Sequence, residues 1–487
     1  MGAILEMIHS FVKNLPISLG VICLVVMHTS CNKIYQFCNQ PIPLQCTDLD
    51  YGIKKSCETG SFCVGDQICE RWWPMFNDSQ LTSLVDRALG CNPTIEIAIS
   101  RIRLANQEAC LTHSALLPSI TAMFDIFRHK TSQFASIPPP ELGIFTETAI
   151  RAVNVSYELD LWMKNRKAYY AALDETQATV ADAKETELVI STSLSQHYFM
   201  LQTALEQVAI TKELLDTQNQ LYTLLEQRFK NGIISEFNLY EVDSERMITL
   251  DLLEQYQNDV DIGLHAIASL VGGGINPECL CQPNASFNRL FPLPRTLPLD
   301  LIARRPDITA QKWRIEEMAY KIGVAQAAFY PSVNLLAFAG FTSILLHELF
   351  TDRASNIYGD VAIHLPIFEG GKLKANLGIA KERFEIAVGE YNERILSAVR
   401  EVSDFLTMII TADRRLEAID RGLKDAQAIY QLTYEKYKNG VDDYLSVLNA
   451  KQTVLLTKDL KVSIEGARLL AVVGLIRSIG GGYDERC

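Results

Sequence analysis

Long apolar runs are almost absent from this chain, and so are the residue clusters on which most enzymes depend. The one apolar run, Leu15 to Val26, is shorter than the ~20 residues a membrane-spanning helix needs and suits the core of an export signal better. Histidines number eight and are scattered. No His-x3-His pair, nucleophile elbow or phosphate-cradling glycine loop appears, so the sequence offers neither catalytic machinery nor a cofactor site. Positive charge is outweighed: 45 Lys and Arg stand against 58 Asp and Glu, giving a formal net charge of -13. Lys and Arg are concentrated nowhere, which argues against a nucleic-acid partner and leaves proteins, lipid or cationic solutes. Proline and glycine are missing altogether from Met163 to Lys230. An uninterrupted helix there would hold about 68 residues and reach on the order of 100 Å, far beyond a globular helix and suited to a coiled coil or helical tube.

What is present is a duplication. The run from Asn92 to Gly274 matches the run from Arg305 to Gly482. Each opens on Pro-x-Ile, passes Leu117-Pro118-Ser119-Ile120 or Tyr330-Pro331-Ser332-Val333, and reaches Arg228-Phe229-Lys230-Asn231-Gly232 or Lys436-Tyr437-Lys438-Asn439-Gly440. The offset is 213 residues at the start (Pro93 to Pro306) and 208 later (Gly232 to Gly440). Units this long are not solenoid repeats; each is a large piece of architecture.

In the first copy, apolar residues at 95, 98, 99, 102 and 105 predict an amphipathic helix, ended at Pro118. Residues 119–129 and 149–161 then alternate, with Ile120, Ala122, Phe124 and Ile126 on one strand face and Val153, Val155, Tyr157 and Leu159 on another. Strands of about ten residues match a tilted membrane β-strand. The long helix follows, Asn231-Gly232 turns the chain with a left-handed glycine, and a return helix spans 236–270. The second copy predicts a helix over 309–328, strands over 332–342 and 356–367, a long helix over 372–438, a turn at Asn439-Gly440 and a return helix up to Gly480. The fold class is therefore mostly α with a membrane β part: two tandem repeats of long helical hairpins with four strands per chain. Four strands cannot close a barrel and lipid does not tolerate open edges, so membrane insertion requires chains to pool strands, and three would give twelve. A soluble bundle with a small ordinary sheet is the competing architecture, and it leaves the helix length unexplained.

At the N-terminus, small residues before Cys31 suggest removal of 1–30 and acylation (palmitate) of Cys31; an ordinary signal peptide or an uncleaved anchor are the other readings. Of twelve cysteines, Cys38, Cys46, Cys57, Cys63, Cys69 and Cys91 crowd ahead of the first repeat, where an exported chain forms disulfides by default. Zinc is disfavoured by the absence of paired Cys-x2-Cys spacing. The expected organisation is signal peptide 1–30, lipidated Cys-rich segment 31–90, first repeat 91–274, linker 275–300, second repeat 301–482 and tail 483–487.

Several motifs carry a family likeness. Arg71-Trp72-Trp73-Pro74-Met75-Phe76-Asn77-Asp78 resembles the opening signature of TolC-like outer membrane factors, in particular the NodT-type lipoproteins of tripartite efflux pumps. Ala303-Arg304-Arg305-Pro306-Asp307-Ile308 resembles the element opening their second repeat, and Leu365-Pro366-Ile367-Phe368-Glu369-Gly370-Gly371-Lys372 their strand-to-helix corner. The resemblance covers roughly residues 70–482. It implies a non-enzymatic homotrimer: a twelve-stranded outer membrane pore continued by a periplasmic helical tunnel, docked to a periplasmic adaptor (membrane fusion protein) and an inner-membrane pump. It implies that Arg228, Gly232, Ile233, Lys436, Gly440 and Val441 contact the adaptor at the tunnel tip, although each glycine is also a helix cap. Where the family often places acidic gate residues, this chain has Ser446 and Asn449. Asp442, Asp443 and Tyr444 lie nearer the turn; the aspartates read either as an acidic ring or as a solvated pair, with Tyr444, Leu445 and Leu448 as steric constrictions. Trp162 with Lys164, Arg166 and Lys167, and Phe368 with Lys372 and Lys374, suggest an aromatic and basic collar at the membrane–water interface. Ile344, Leu345, Leu346 and Leu349 either plug the pore or pack among outer loops. A protein-export duct and a periplasmic coiled-coil adaptor are the alternative functions.

Overall fold

A computed structural model of the chain describes residues 62–65, 71–130, 132–134, 145–273, 280, 291–294, 304–343 and 345–481. The signal segment, Cys31, most of the clustered cysteines, Pro138 to Pro140, Ile344 and the tail lie outside the described residues.

The duplication is reproduced element by element. In the first copy, helix α2 (Pro93–Ser114) leads to strands β2 (Ser119–Lys130) and β3 (Phe145–Leu159), then to the long helix α3 (Lys164–Lys230) and its return helix α4 (Glu236–Leu270). In the second, α5 (Pro306–Ala327), β5 (Ser332–Ser343), β6 (Ser355–His364), α6 (Lys372–Lys438) and α7 (Tyr444–Ser478) follow in the same order. Helix lengths match pairwise at 22, 67 and 35 residues. Three further elements add to the expected set: a short strand β1 (Phe62–Gly65), helix α1 (Ser79–Cys91) and strand β4 (Phe291–Pro294). β1 and β4 pair in parallel, so the linker is tied back to the N-terminal segment.

Residues 71–91, just ahead of the first repeat, belong to the core. Trp72 stacks edge-on to Trp73 and Phe76, with centroids 5.9 and 6.1 Å away, and Phe76 meets Phe199 of α3 at 5.0 Å. With Leu81, Leu84, Val85 and Ala88 of α1, these rings fill the main hydrophobic cluster, completed by α3, α4, α6 and α7. Asp78 explains the end of the Trp-Trp signature. One carboxylate oxygen caps α1 by accepting from the backbone N–H of Gln80 (2.9 Å) and Leu81 (3.1 Å), and the other accepts from the buried Tyr198 hydroxyl at 2.7 Å. Burial, and then the Asp78 carboxylate, drive the Tyr198 hydroxyl pKa upward, so it stays a donor.

β2, β3, β5 and β6 form one antiparallel sheet in that order. The register sorts its two faces. Ile120 opposes Val155, Ala122 opposes Val153, Val155 opposes Ala337 and Leu335 opposes Val361, so these apolar residues share one face. The other face carries Thr121, Asn154, Ser156, Asn334, Asn356 and Asp360. Among the described elements no α-helix packs on the sheet, only short turns of the loop between β5 and β6 touching β3 and β5, and β2 and β6 are edge strands. No helix among the described residues is long and apolar enough to cross a membrane.

The outer loop between β5 and β6 folds onto its own strands: Leu349 is buried, and Phe350 approaches Phe341 at 6.1 Å. At the strand-to-helix corner, Trp162 does not simply point outward. It stacks on Tyr330 at 4.8 Å and its indole N–H donates to the Pro331 carbonyl at 2.7 Å, joining the end of β3 to the start of β5. Phe368 at the other corner is exposed, as a collar residue would be.

Candidate functional site

Each long helix ends in the same local geometry, and the reason is the Asn-Gly pair. Gly232 has φ +70° and Gly440 φ +71°, a left-handed backbone that side-chain-bearing residues rarely adopt. That conformation lets the Gly232 N–H reach the Phe229 carbonyl (2.8 Å) and the Ile233 N–H the Arg228 carbonyl (2.9 Å). The second turn repeats this, from Gly440 to Tyr437 and from Val441 to Lys436, each 2.9 Å. The last carbonyls of α3 and α6 are thereby satisfied, and the residue after each glycine is pushed outward. Ile233 is 68% and Val441 75% exposed, apolar side chains held at the apex of each hairpin.

The two turns are joined to each other. Arg228 donates from Nη2 to Asp443 Oδ2 at 2.9 Å, across 215 residues of sequence. Asp443 is also the cap of α7, since its Oδ1 accepts from the Ser446 backbone N–H (3.0 Å) and hydroxyl (3.1 Å). The Ser446 backbone N–H, with Arg228 adding to it, holds the Asp443 carboxyl below the usual carboxylate range. Its neighbour Asp442 accepts from the Asp443 backbone N–H at 2.8 Å. Tyr444 packs against Tyr437 at 5.2 Å, and its hydroxyl points at Gln220 Oε1 of α3, 3.5 Å away. Lys436 and Asn449 are exposed, the latter between one and two turns along α7 from the cap.

Leu448, expected with Tyr444 and Leu445 to act as a steric constriction, is occupied in packing within the chain. It is 2% exposed, packed with Leu221, Leu225 and Val242, and Leu445 lies against the same cluster. Two tip aromatics escaped the sequence reading: Phe237 and Tyr240, exposed on the first turns of α4. Their three-residue spacing just after a turn, opposite the buried Val242 side, was the available signal.

Away from the tips, Arg305 of the Arg-Arg-Pro-Asp-Ile element organises a second cluster. Its guanidinium donates to both oxygens of Asp307 (3.1 and 3.0 Å), to Glu401 Oε2 (2.8 Å) and to the Ser478 carbonyl at the end of α7 (3.1 Å). Gly480 comes so close that an added Cβ would lie 3.1 Å from Arg305 Cα. Burial opposes the charge on Arg305, and the two carboxylates more than restore it. Nearby Glu185 is pushed up to about 7, first by burial and then by Asp307. This motif is an interhelical clamp. Among the described residues no group of three or more His, Cys, Asp or Glu is arranged to hold a metal.

An elongated hairpin pair with apolar apices and an uncovered antiparallel sheet is the arrangement of a conduit, and the comparisons agree. The family model described as "Outer membrane efflux protein" matches residues 84–273 and 297–481. The chain is 28% identical over 423 residues to the putative multidrug resistance outer membrane protein MdtQ of Escherichia coli K12, covering 85% of this chain and 88% of that protein. It is 25% identical over 423 residues to the multidrug resistance outer membrane protein MdtP of the same strain, covering 85% and 86%. The crystal structure of the outer membrane protein VceC from Vibrio cholerae superposes with a TM-score of 0.76 at 27% identity, covering 86% of this chain and all of that one. With its duplication, its uncovered sheet and its paired hairpins matched from end to end, the chain belongs to the outer membrane efflux protein family and is an efflux exit duct of the outer membrane, not an enzyme.

Proposed function

We propose that three copies of this chain pool their sheets into a twelve-stranded outer membrane barrel continued by a periplasmic helical tunnel, and that drugs or similar small solutes leave through it. The carrying observation is that α3 packs against α2, α4, α5 and α7, whereas its repeat partner α6 packs against α5 and α7. Twenty-four residues of α3 are buried and eight of α6, so one flank of α6 awaits partners like α2 and α4. Those helices are supplied by the next copy, a head-to-tail contact that closes a ring. The same contact brings β6 of one copy to β2 of the next, removing the edges that lipid would not tolerate.

The tips are the docking end. Ile233 and Val441, carried on Gly232 and Gly440 and flanked by Arg228 and Lys436, meet a periplasmic adaptor that links the duct to an inner-membrane pump. Asp442, Asp443, Tyr444, Ser446 and Asn449 line the tunnel mouth, with the Arg228–Asp443 pair holding the two hairpins of one copy together. Cys31 carries the lipid anchor, and acyl mass on a mature chain beginning there, lost in Cys31→Ala, is the expected result of intact-mass measurement.

Val441→Asp tests the docking end without straining a glycine. The variant should run as the same heat-labile trimer as the unaltered protein yet leave cells accumulating a fluorescent drug. Normal efflux from a Val441→Asp, Ile233→Asp double variant would remove the tips from the contact.

A further inference from the structure

The sheet face opposite the apolar one is not uniformly hydrophilic. Between Thr121 and Asn154 on one side and the free edge on the other, Phe338 of β5 and Tyr358 of β6 are register partners. Their rings stack at 5.1 Å between centroids with an interplanar angle of 19°. One step along the same face, Leu336 opposes Asp360. Phe338, Tyr358, Leu336 and Asp360 thus form a two-by-two patch: two aromatic faces, an aliphatic side chain and a carboxylate about 7 Å along the strand from the Tyr358 ring.

This patch has no packing purpose within the chain. No described α-helix packs on the sheet, and Tyr358 is 54% exposed. Lumen faces of membrane barrels are polar and wet, so large aromatics there leave apolar surface in water, a cost that a packed core would remove. The charged residues on the described part of this face are acidic: Asp125, Glu158 and Asp360, with Glu158 held by Lys164. Neither lysine nor arginine is among the described residues of this face.

We propose that Phe338, Tyr358 and Asp360 form a contact station for amphiphilic aromatic cations inside the pore, three such stations in a trimer. The ring quadrupoles attract a cation over their faces, Leu336 and the rings accept its aromatic groups, and the Asp360 carboxylate selects its sign. Tyr358 lies on an edge strand, so each station abuts the neighbouring copy's first barrel strand and projects into a shared lumen. Solute is retarded there briefly and passes on; nothing is bound tightly.

The inference rests on the sheet being a barrel wall, and the test separates the two. The purified full-length trimer is placed in a planar bilayer, and single-channel current is recorded with tetraphenylphosphonium added on the barrel side, tetraethylammonium serving as the non-aromatic control. Tetraphenylphosphonium should produce resolved blockades with dwell times roughly fivefold to tenfold shorter in Phe338→Ser, Tyr358→Ser and Asp360→Asn, the unblocked conductance and the heat-labile trimer being retained. Tyr358→Phe should keep the wild-type dwell time. Equal dwell times in the serine variants, or equal block by tetraethylammonium, would overturn the station while leaving the pore intact. Absence of any conductance from the wild-type trimer would overturn the barrel reading and the station with it.

Discussion

Arg305 shows how a single side chain can hold several elements. It is nearly buried, satisfies two carboxylates and a helix-terminal carbonyl, and so joins α5, α6 and the end of α7. Removing one partner of a buried ion cluster leaves the others unpaired, at a cost of about 3–5 kcal/mol. Arg305→Met should therefore lower the thermal unfolding midpoint of the extracted protein sharply, while leaving the tip contacts untouched. Glu185 beside it has the opposite character. Its folded pKa, raised to about 7 chiefly by burial, lies above the unfolded value, so its contribution to stability is full in acid and is lost as pH rises through about 7. The unfolding midpoint should fall as pH rises from about 4.5, the ordinary carboxyl value, to about 7 and level off above it, and Glu185→Gln should flatten that slope. An unchanged slope would place the titration elsewhere.

At the scale of the element, the return helices begin differently although their sequences are aligned. Asp443 caps α7 with its carboxylate, whereas Ser235 ahead of α4 makes no side-chain cap and donates instead to Asn238 Oδ1 at 3.1 Å. The second tip is thus the more firmly built, and it holds the first through Arg228. Asp443→Ala removes cap and ion pair together. The cap is worth about 0.5–2 kcal/mol and an exposed pair at most about 1 kcal/mol. Amide hydrogen exchange should quicken in the first turn of α7 and at the end of α3, with the remainder unaffected. The depressed Asp443 pKa gives the wild type a related response. Its stabilisation is present above the ordinary carboxylate range and is lost only as pH falls through the lowered value, so the tip should loosen in acid rather than in base.

For the whole molecule, the duplication makes the contact between copies calculable. Within one chain Arg314 of α5 pairs with Asp182 of α3. Arg101 precedes Arg314 by 213 positions and Glu390 follows Asp182 by 208, the offsets of the duplication itself. Arg101 on α2, exposed in the single chain, should therefore meet Glu390 on the next copy's α6. Charge reversal at either position, Arg101→Glu or Glu390→Arg, should weaken the trimer on unheated gels, and the double reversal should recover part of the loss. Failure of the double variant to recover, with both singles folded, would place α2 elsewhere.

The sequence alone determined the elements and their order. Helices uninterrupted by proline, α3 free of glycine as well, and turned at Asn-Gly let the limits of α3, α4 and α6 be read to within a residue, because local propensity and capping decide such boundaries. Alternation likewise marked the four strands of the antiparallel sheet, and the glycine turns marked the ends of the hairpins. The tertiary structure decided what depends on residues far apart in the chain. α1 lies ahead of the duplicated part, and the β1–β4 pair joins four-residue strands across more than half the length of the described chain, one of them containing Pro292 and Pro294. The strand pair leaves no periodic trace; α1 does, in the three-four spacing of Leu81, Leu84, Val85 and Ala88, but it has no counterpart in the second copy to mark it. The Arg228–Asp443 link, the burial of Leu448 and the stacking of Phe338 on Tyr358 are matters of register and helix rotation, set by packing between elements rather than by any one segment.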